Sequence, residues 1–149
     1  MKYILLLFIL SLLFSSFEKS KEFNGFTYPE GKYKALILSY DDGTIEDLDL
    51  VGLLDKNNLK GTFNLNSAYL GTIRGWPQQN GDTIFQKYVP KDSLNQIYTN
   101  HEIAVHGAYH KDFINITKNE ILEEVQTDLK VLKELTGREI TSMAYPFGN

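Results

Sequence analysis

Cysteine is absent from the 149 residues of this chain. Its absence excludes disulfides, thiolate nucleophiles, zinc sites built from cysteine and a lipoprotein anchor. Positive charge is also sparse, because 15 Lys and Arg face 19 Asp and Glu and no basic block occurs. Nucleic acid is therefore not an expected partner. Histidine occurs only three times, so a motif that holds two of them is informative.

The first 17 residues are typical of a targeting segment. A charged start at Met1-Lys2 precedes an apolar stretch over residues 3–14 and small residues at Ser15-Ser16. This order predicts a secretory signal peptide over 1–17, or an uncleaved N-terminal anchor in its place. The apolar stretch is shorter than the roughly 20 residues of a membrane span. We therefore expect a secreted or periplasmic protein, which contacts a membrane only if this segment stays uncleaved as an anchor.

The rest of the chain alternates between short apolar runs and stripes of apolar residues at helical spacing. Residues 18–32 are polar and form a lead-in, and the patterns that follow predict strands and helices in turn. The predicted strands are 35–40, 61–66, 102–105 and 140–144. The predicted helices run from a Thr44 cap to Asn57-Asn58, over 93–100, and from a Thr117–Glu120 capping box to Gly137. Helices between strands favour parallel pairing, hence an α/β fold, and residues 67–90 predict a long loop.

Two pairs of polar side chains follow predicted strands, where the chemistry of α/β folds gathers. Asp41 and Asp42 follow the first strand, and His106 and His110 follow the third. Two imidazoles and a carboxylate suit a divalent metal with open positions, as in hydrolytic zinc sites or non-haem iron oxygenases. The second aspartate favours hydrolysis, which needs a base for the bound water. The alternatives to a metal site are that the aspartates form a solvated helix N-cap and that the two histidines are unconnected surface residues. His101 is expected to be structural.

Two loops carry further candidates. Tyr145 to Gly148 follows the fourth predicted strand, and its backbone either directs an N–H at a developing oxyanion or forms an ordinary turn. The long loop contains aromatic side chains that either stack on sugar rings or fix the loop to the domain. These aromatics are Tyr69, Trp76, Phe85 and Tyr88.

Taken together, these motifs resemble the NodB-like polysaccharide deacetylases, carbohydrate esterase family four. The family's aromatic-Asp-Asp-Gly motif corresponds to Tyr40-Asp41-Asp42-Gly43, and its His-x-x-x-His motif to the segment from His106 to His110. Its third motif, in a Tyr-Pro variant, corresponds to Tyr145-Pro146-Phe147-Gly148, and a Thr-Phe strand is present at Thr62-Phe63. The resemblance covers residues 33–149, which are expected to form the deacetylase domain.

The resemblance implies a metal-dependent hydrolase that removes N-acetyl, or O-acetyl, groups from a polysaccharide or cell-wall glycan. It implies Asp42, His106 and His110 as ligands of a divalent metal, zinc before cobalt or manganese. Asp41 would then be the catalytic base, and the main-chain N–H of Phe147 would stabilise the oxyanion. Tyr145, Pro146 and Trp76 are expected near the acetylated polysaccharide. The alternative is a carbohydrate-binding domain that keeps the fold without turnover.

The chain departs from the family pattern at two points. The arginine of the third motif falls on Ala144, and the fourth and fifth motifs, with the general-acid histidine, would lie beyond Asn149. The family fold is a distorted (β/α) barrel of seven strands, of which about four are predicted here. We therefore expect the N-terminal part of such a barrel, incomplete at its C-terminus and inactive as a 149-residue piece.

Overall fold

The computed structural model describes residues 25–148. The predicted signal peptide at 1–17 and the first part of the lead-in lie outside these residues. The chain divides into two compact units, residues 1–36 and residues 37–149. In the first unit, the described residues form a single 3-10 turn at Pro29–Gly31, closed by a hydrogen bond from the Tyr28 N–H to the Lys32 carbonyl. The predicted domain start at residue 33 stays a prediction.

The second unit contains a parallel sheet, an antiparallel hairpin and helices between the strands. Its strands are β1 (Ser39–Asp42), β2 (Thr62–Leu65), β3 (Ile73–Pro77), β4 (Thr83–Lys87) and β5 (Glu102–Val105). Its α-helices are α1 (Asp47–Lys56), α2 (Leu94–Ile97) and α3 (Lys118–Thr136). Strands β1, β2 and β5 pair in that order and are all parallel, whereas β3 and β4 form the hairpin. The predicted α/β class, with parallel strands that alternate with helices, is confirmed.

The register of the sheet brings the polar motifs to one edge. Asp42 pairs with Leu65, and Leu65 pairs with Val105, so the three strands end at the same level. Because parallel strands share a carboxyl edge, the residue after Val105, His106, lies across the sheet end from Asp42. The fold thus places carboxylates and imidazoles together although they are more than 60 residues apart.

The hydrophobic core lies between the parallel sheet and the helices. Phe63, fully buried on β2, contacts the ring of Tyr98 at a centroid distance of 4.8 Å and that of Tyr40 at 5.4 Å. Apolar residues from every layer complete this core: Val51, Leu54, Leu65, Leu94, Ile103, Val105, Leu132 and Ile140. Within residues 25–148, no helix combines the length and the apolar character that a bilayer span requires.

The signals at the ends of α3 are confirmed. Thr117 accepts a hydrogen bond from the Glu120 N–H, and the Glu120 carboxylate accepts one from the Thr117 N–H, which completes the capping box. Gly137 ends the helix with a φ of 66°. The predicted Thr44 cap is wrong, because no side chain of residues 25–148 caps α1. The Asp47 N–H instead donates to the main-chain oxygen of Thr44.

The first predicted strand is misplaced. β1 covers Ser39–Asp42, so the two aspartates end the strand instead of following it, and residues 35–38 lie outside it. The partner explains the difference: β2 is four residues long and pairs with Ser39 to Asp42. Upstream of this pairing, Leu38 accepts a hydrogen bond from the Thr62 N–H, and Ile37 is exposed.

The predicted long loop over 67–90 is also wrong, because it contains the β3–β4 hairpin. Trp76 pairs with Ile84 and Arg74 with Gln86 around a turn at residues 78–82. The alternation along β3 was hidden by Gly75 and Pro77, which are weak strand formers. The fourth predicted strand, 140–144, is reduced to a single parallel bridge between Met143 and Val105.

Candidate active site

Asp42, His106 and His110 form a compact cluster at the carboxyl edge of the sheet. One ligand atom from each lies within 4.8 Å of the other two. Asp42 Oδ1 is 3.8 Å from His106 Nε2 and 3.5 Å from His110 Nε2. A tetrahedral zinc with bonds of about 2.0–2.1 Å separates its ligand atoms by about 3.3 Å. The three side chains therefore fit a small divalent metal by both donor type and spacing.

His106 is fixed by its surroundings before any metal binds. It is 1% exposed, and its Nδ1 lies 3.0 Å from the Ala144 carbonyl oxygen. Because a carbonyl only accepts hydrogen bonds, Nδ1 is the donor here, and Nε2, 3.8 Å from Asp42 Oδ1, is the ring nitrogen that faces the cluster. Such an oriented imidazole is the usual form of a metal-binding histidine.

The main chain at His106 is held by a buried carboxylate on α3. Asp128 is fully buried, and its Oδ2 accepts a hydrogen bond from the His106 N–H at 2.9 Å. Its Oδ1 accepts a second from the Ser67 N–H at 2.7 Å. The side chain of Asn66, also buried, donates to the carbonyls of His106 and Gly107. The loops after β2 and β5 are thereby joined to each other and to α3.

His110 approaches the cluster from the loop after β5. Burial lowers the pKa of His110, the Asp42 carboxylate opposes this shift, and His106 adds to it. This direction favours the neutral imidazole, which is the form that binds a metal. Its ring lies 4.6 Å from that of Phe147 and 4.9 Å from that of His106.

The second aspartate is held apart from the cluster by an amide. Asn64, buried on β2 beside Asp41, donates from Nδ2 to Asp41 Oδ1 at 2.8 Å. The other oxygen of Asp41, Oδ2, is 3.9 Å from His106 Nε2. The Asp41 side chain is half exposed, so it contacts both the cluster and solvent. One carboxylate thus lies among the imidazoles and the other lies next to them.

Backbone strain concentrates at this cluster. Five non-glycine residues among the described ones have a positive φ, and three of them are Asp42 (79°), His110 (51°) and Phe147 (59°). A left-handed backbone is unfavourable for a side chain that carries a Cβ, and such residues gather where geometry serves function. All three also line the same cleft.

This cleft has a volume of about 250 Å³ and extends from Asp42 and His110 to the hairpin. Its other walls are aromatic or neutral: Tyr69, Trp76, Gln86, Tyr88 and Phe147. Tyr69 and Tyr88 are almost fully buried and pack edge to face at 5.4 Å, so they support the wall. Trp76 and Gln86 come from β3 and β4. The segment predicted to be a loop therefore builds the wall opposite the imidazoles.

The predicted site residues separate into two groups. Asp41, Asp42, His106, His110, Phe147 and Trp76 lie at the cluster or its cleft. Tyr145 is 57% exposed and contacts Phe113 instead, while Pro146 is buried beside Gly107. The roles assigned to these residues stay predictions.

One predicted aromatic residue, Phe85, and one histidine, His101, lie away from the cleft. Phe85 is 74% exposed and does not line the cleft. His101 is buried between α1 and β2, where its Nδ1 accepts a hydrogen bond from the Gly61 N–H. Its Nε2 lies 3.5 Å from Asp55, which agrees with a structural role.

Sequence reasoning missed three buried polar residues that hold the site: Asn64, Asn66 and Asp128. A signal existed for two of them, because Asn64 and Asn66 interrupt or follow an apolar strand run where a buried amide needs partners. Asp128 gave no such signal, since an acidic residue within a helix is ordinarily solvent-facing.

Comparison with known proteins places this sequence in a family. The sequence model of the family described as polysaccharide deacetylase matches residues 28–149. A search of curated proteins found no match.

Solved structures share the fold. A family 4 carbohydrate esterase from Bacillus anthracis matches with a TM-score of 0.58 and 22% identity, over 75% of this chain and 48% of that one. The catalytic domain of a peptidoglycan N-acetylglucosamine deacetylase from Eubacterium rectale matches with a TM-score of 0.54 and 21% identity, over 75% and 44%. A Streptococcus pyogenes deacetylase in complex with acetate matches with a TM-score of 0.61 and 16% identity, over 76% and 46%.

This chain thus spans less than half the length of these structures. At such identities they show the fold, whereas the family follows from the sequence model, which covers most of the chain. The chain belongs to the polysaccharide deacetylase family.

Proposed function

We propose that this protein is a zinc-dependent hydrolase that removes N-acetyl groups from a polysaccharide. The observation that supports the proposal best is that two adjacent aspartates have different surroundings. Asp42 lies between two imidazoles, whereas Asp41 is held by Asn64 with its free oxygen 3.9 Å from His106 Nε2. One carboxylate is available as a ligand and the other as a base.

The residues divide the chemistry among them. Asp42, His106 and His110 would hold the metal. When bound, the metal would supply Lewis-acid polarisation of the acetamide carbonyl and a lowered pKa of the attacking water. Asp41 accepts the proton of the attacking water through Oδ2. The main-chain N–H of Phe147 stabilises the oxyanion, and the aromatic cleft next to His110 receives the sugar through apolar contact with its ring faces.

The position of Asp41 argues against the other chemistries considered. A non-haem iron oxygenase needs the two imidazoles and one carboxylate only. A purely sugar-binding domain would not require a second carboxylate held by a buried amide. Neither alternative accounts for the hydrogen bond that Asn64 donates to Asp41.

The proposal is tested by metal content and acetate release measured on the same samples of the full-length protein. The substrates are N-acetylglucosamine oligomers, with O-acetylated xylan oligomers to separate amide from ester cleavage. Asp41→Asn is expected to keep zinc and to lose activity by about 10²–10⁴-fold. Asp42→Asn, His106→Ala and His110→Ala are each expected to lose zinc.

His101→Gln is the matched control, because this imidazole lies outside the cluster. It is expected to keep both zinc and activity, with a lower stability. Retention of zinc by both His106→Ala and His110→Ala would overturn the ligand assignment. Loss of zinc in Asp41→Asn with retention in Asp42→Asn would mean that the two aspartates have the opposite roles.

A further inference from the structure

Arg74 lies on the hairpin face that contributes to the cleft. Side chains alternate along a strand, so Arg74 shares its face of β3 with Trp76, two residues on. Its cross-strand partner is Gln86. Trp76 and Gln86 both line the cleft beside Asp42 and His110. Arg74 is therefore directed to the same side of the hairpin as the candidate active site.

The guanidinium of Arg74 is positioned but not paired. Its Cζ lies 3.7 Å from the ring centroid of Tyr69 and 5.2 Å from that of Trp76. Two aromatic faces thus orient a planar cation and leave its N–H donors at the edge. No carboxylate within residues 25–148 forms an ion pair with Arg74, and no hydrogen bond from its guanidinium is found there.

Arg138, the other arginine of the chain, shows the contrast. Its guanidinium donates to the main-chain oxygens of Tyr98 and His101, so its donors serve the fold. The donors of Arg74 have no such use. Among the described residues that line the cleft, Asp42 is the one acidic side chain, and it belongs to the candidate metal site. Within residues 25–148, the Arg74 guanidinium next to this cleft is therefore not neutralised by an ion pair.

We propose that Arg74 binds an anionic substituent on the glycan, which makes this protein selective for acidic acetylated polysaccharides. This inference rests on the proposed function, because it assigns the substrate class of the same site. A guanidinium forms two parallel hydrogen bonds with a carboxylate and binds a phosphate in a similar way. The ligand is thus a glycan whose sugars carry a carboxylate or phosphate close to the acetylated residue.

The test uses a matched set of N-acetylglucosamine tetramers. One carries a 6-O-carboxymethyl group, a second carries the methyl ester of that group, and a third carries a 6-phosphate. Binding is measured by calorimetry with the zinc-loaded, full-length Asp41→Asn protein, in which hydrolysis is suppressed. The variants Arg74→Gln and Arg74→Lys are compared in this background. Lys87→Gln is the control, because Lys87 is a cation on the opposite face of the same hairpin.

We expect the carboxymethylated or the phosphorylated tetramer to bind about 10-fold more tightly than the neutral methyl ester. Arg74→Gln should abolish this preference, Arg74→Lys should retain part of it, and Lys87→Gln should retain all of it. The tighter of the two anions identifies the substituent. In the protein with an intact Asp41, Arg74→Gln should raise KM for the anionic tetramer and leave KM for the ester unchanged.

Equal binding of the ester and both anions to the parent protein would overturn the inference. So would an equal loss of affinity for all tetramers in Arg74→Gln, because Arg74 would then serve only to fix the hairpin. The two proposals fail separately. Absence of acetate release from every tetramer refutes the hydrolase, whereas a preference for anions that depends on Arg74 would still establish the acidic glycan as ligand.

Discussion

Asn64 donates a hydrogen bond to Asp41 Oδ1 at 2.8 Å, and the other oxygen of Asp41 then faces His106 Nε2 at 3.9 Å. The amide is 2% exposed and occupies the strand position directly beside Asp41. It also donates to the Ser39 hydroxyl and to the Tyr40 carbonyl. Asn64 therefore decides which carboxylate oxygen is free to act as a base.

Replacement of Asn64 by Leu, which has a similar size and no polar atom, is expected to lower kcat for deacetylation by about 10–100-fold. Zinc stoichiometry should stay the same, because no ligand changes. Ser39→Ala is the control, since it removes one partner of the amide and leaves the Asp41 bond. An Asn64→Leu protein with the activity of Ser39→Ala would show that Asp41 is oriented without the amide.

Asp128, on α3, supports the loops that follow β2 and β5. Because its two oxygens accept from two different main-chain N–H groups, Asp128→Asn must place an amide donor against one of them. We expect the free energy of unfolding of the zinc-free protein to fall by about 1–3 kcal/mol. Zinc affinity should fall by about 10-fold, since the main chain of His106 is no longer fixed.

The control for Asp128 is Asp112→Asn. Asp112 also accepts a main-chain hydrogen bond, from the Ile114 N–H, but it lies at the surface in a 3-10 turn. Its replacement should change the free energy of unfolding by less than about 1 kcal/mol and leave zinc affinity unchanged. Denaturant unfolding without zinc and calorimetric titration with zinc separate the two effects. Equal zinc affinity in both variants would contradict the positioning role of Asp128.

Local sequence patterns predicted the parts of this fold that depend on local interactions. The capping box at Thr117 and the glycine at position 137 define α3 because both signals act within one helical turn. The order of strands and helices required parallel pairing, and parallel pairing placed Asp42 and His106 at one sheet edge. The cluster was thus foreseeable from residue types and strand order.

The parts that were not predicted depend on partners distant in sequence. β1 begins at Ser39 because β2 offers only four residues for pairing, which the apolar run before Ser39 does not reveal. The hairpin is specified by pairing between β3 and β4, while Gly75 and Pro77 mask the strand pattern of β3 when that segment is read alone. Asp128 can be buried because two main-chain N–H groups distant in sequence donate to it. They belong to His106 and Ser67, which are 22 and 61 positions away along the chain.

A pH effect on stability follows from Asp47 at the start of α1. Burial raises the pKa of this carboxyl from 3.8 to about 6, and the hydrogen bond from the Tyr98 hydroxyl, 2.6 Å long, partly opposes the shift. The folded state therefore holds this proton at a pH where the unfolded chain has lost it. The stabilisation of the folded state by this proton is complete below pH 3.8 and disappears as the pH rises through about 6. The free energy of unfolding changes by about 3 kcal/mol over this range.

Asp47→Asn should remove this contribution. Between pH 4 and pH 7, the free energy of unfolding of the parent protein is then expected to fall relative to that of the variant, by up to about 3 kcal/mol. Tyr98→Phe should move the window to higher pH, because it removes the donor that stabilises the carboxylate. Asp49→Asn, an exposed neighbour in the same helical turn, is the control. A pH-independent difference for Asp47→Asn would refute the assignment.

Gly107 links the loop after β5 to the loop that carries Phe147. It has a φ of 77°, and a Cβ at this position would lie 3.3 Å from Pro146 Cγ. Gly107→Ala thus combines an unfavourable backbone conformation with a displacement of Pro146. Because Phe147 follows Pro146 and its ring lies 4.6 Å from that of His110, the displacement should reach the cleft.

Gly137→Ala separates the two effects, since Gly137 has a similar φ of 66° and no atom within 4 Å of an added Cβ. We expect each alanine to lower the free energy of unfolding by about 1–2 kcal/mol through backbone strain alone. Gly107→Ala should lose more than Gly137→Ala and should also reduce acetate release, whereas Gly137→Ala should keep full activity. If both variants lose the same stability and keep the same activity, then Pro146 does not transmit the change at Gly107 to the active site.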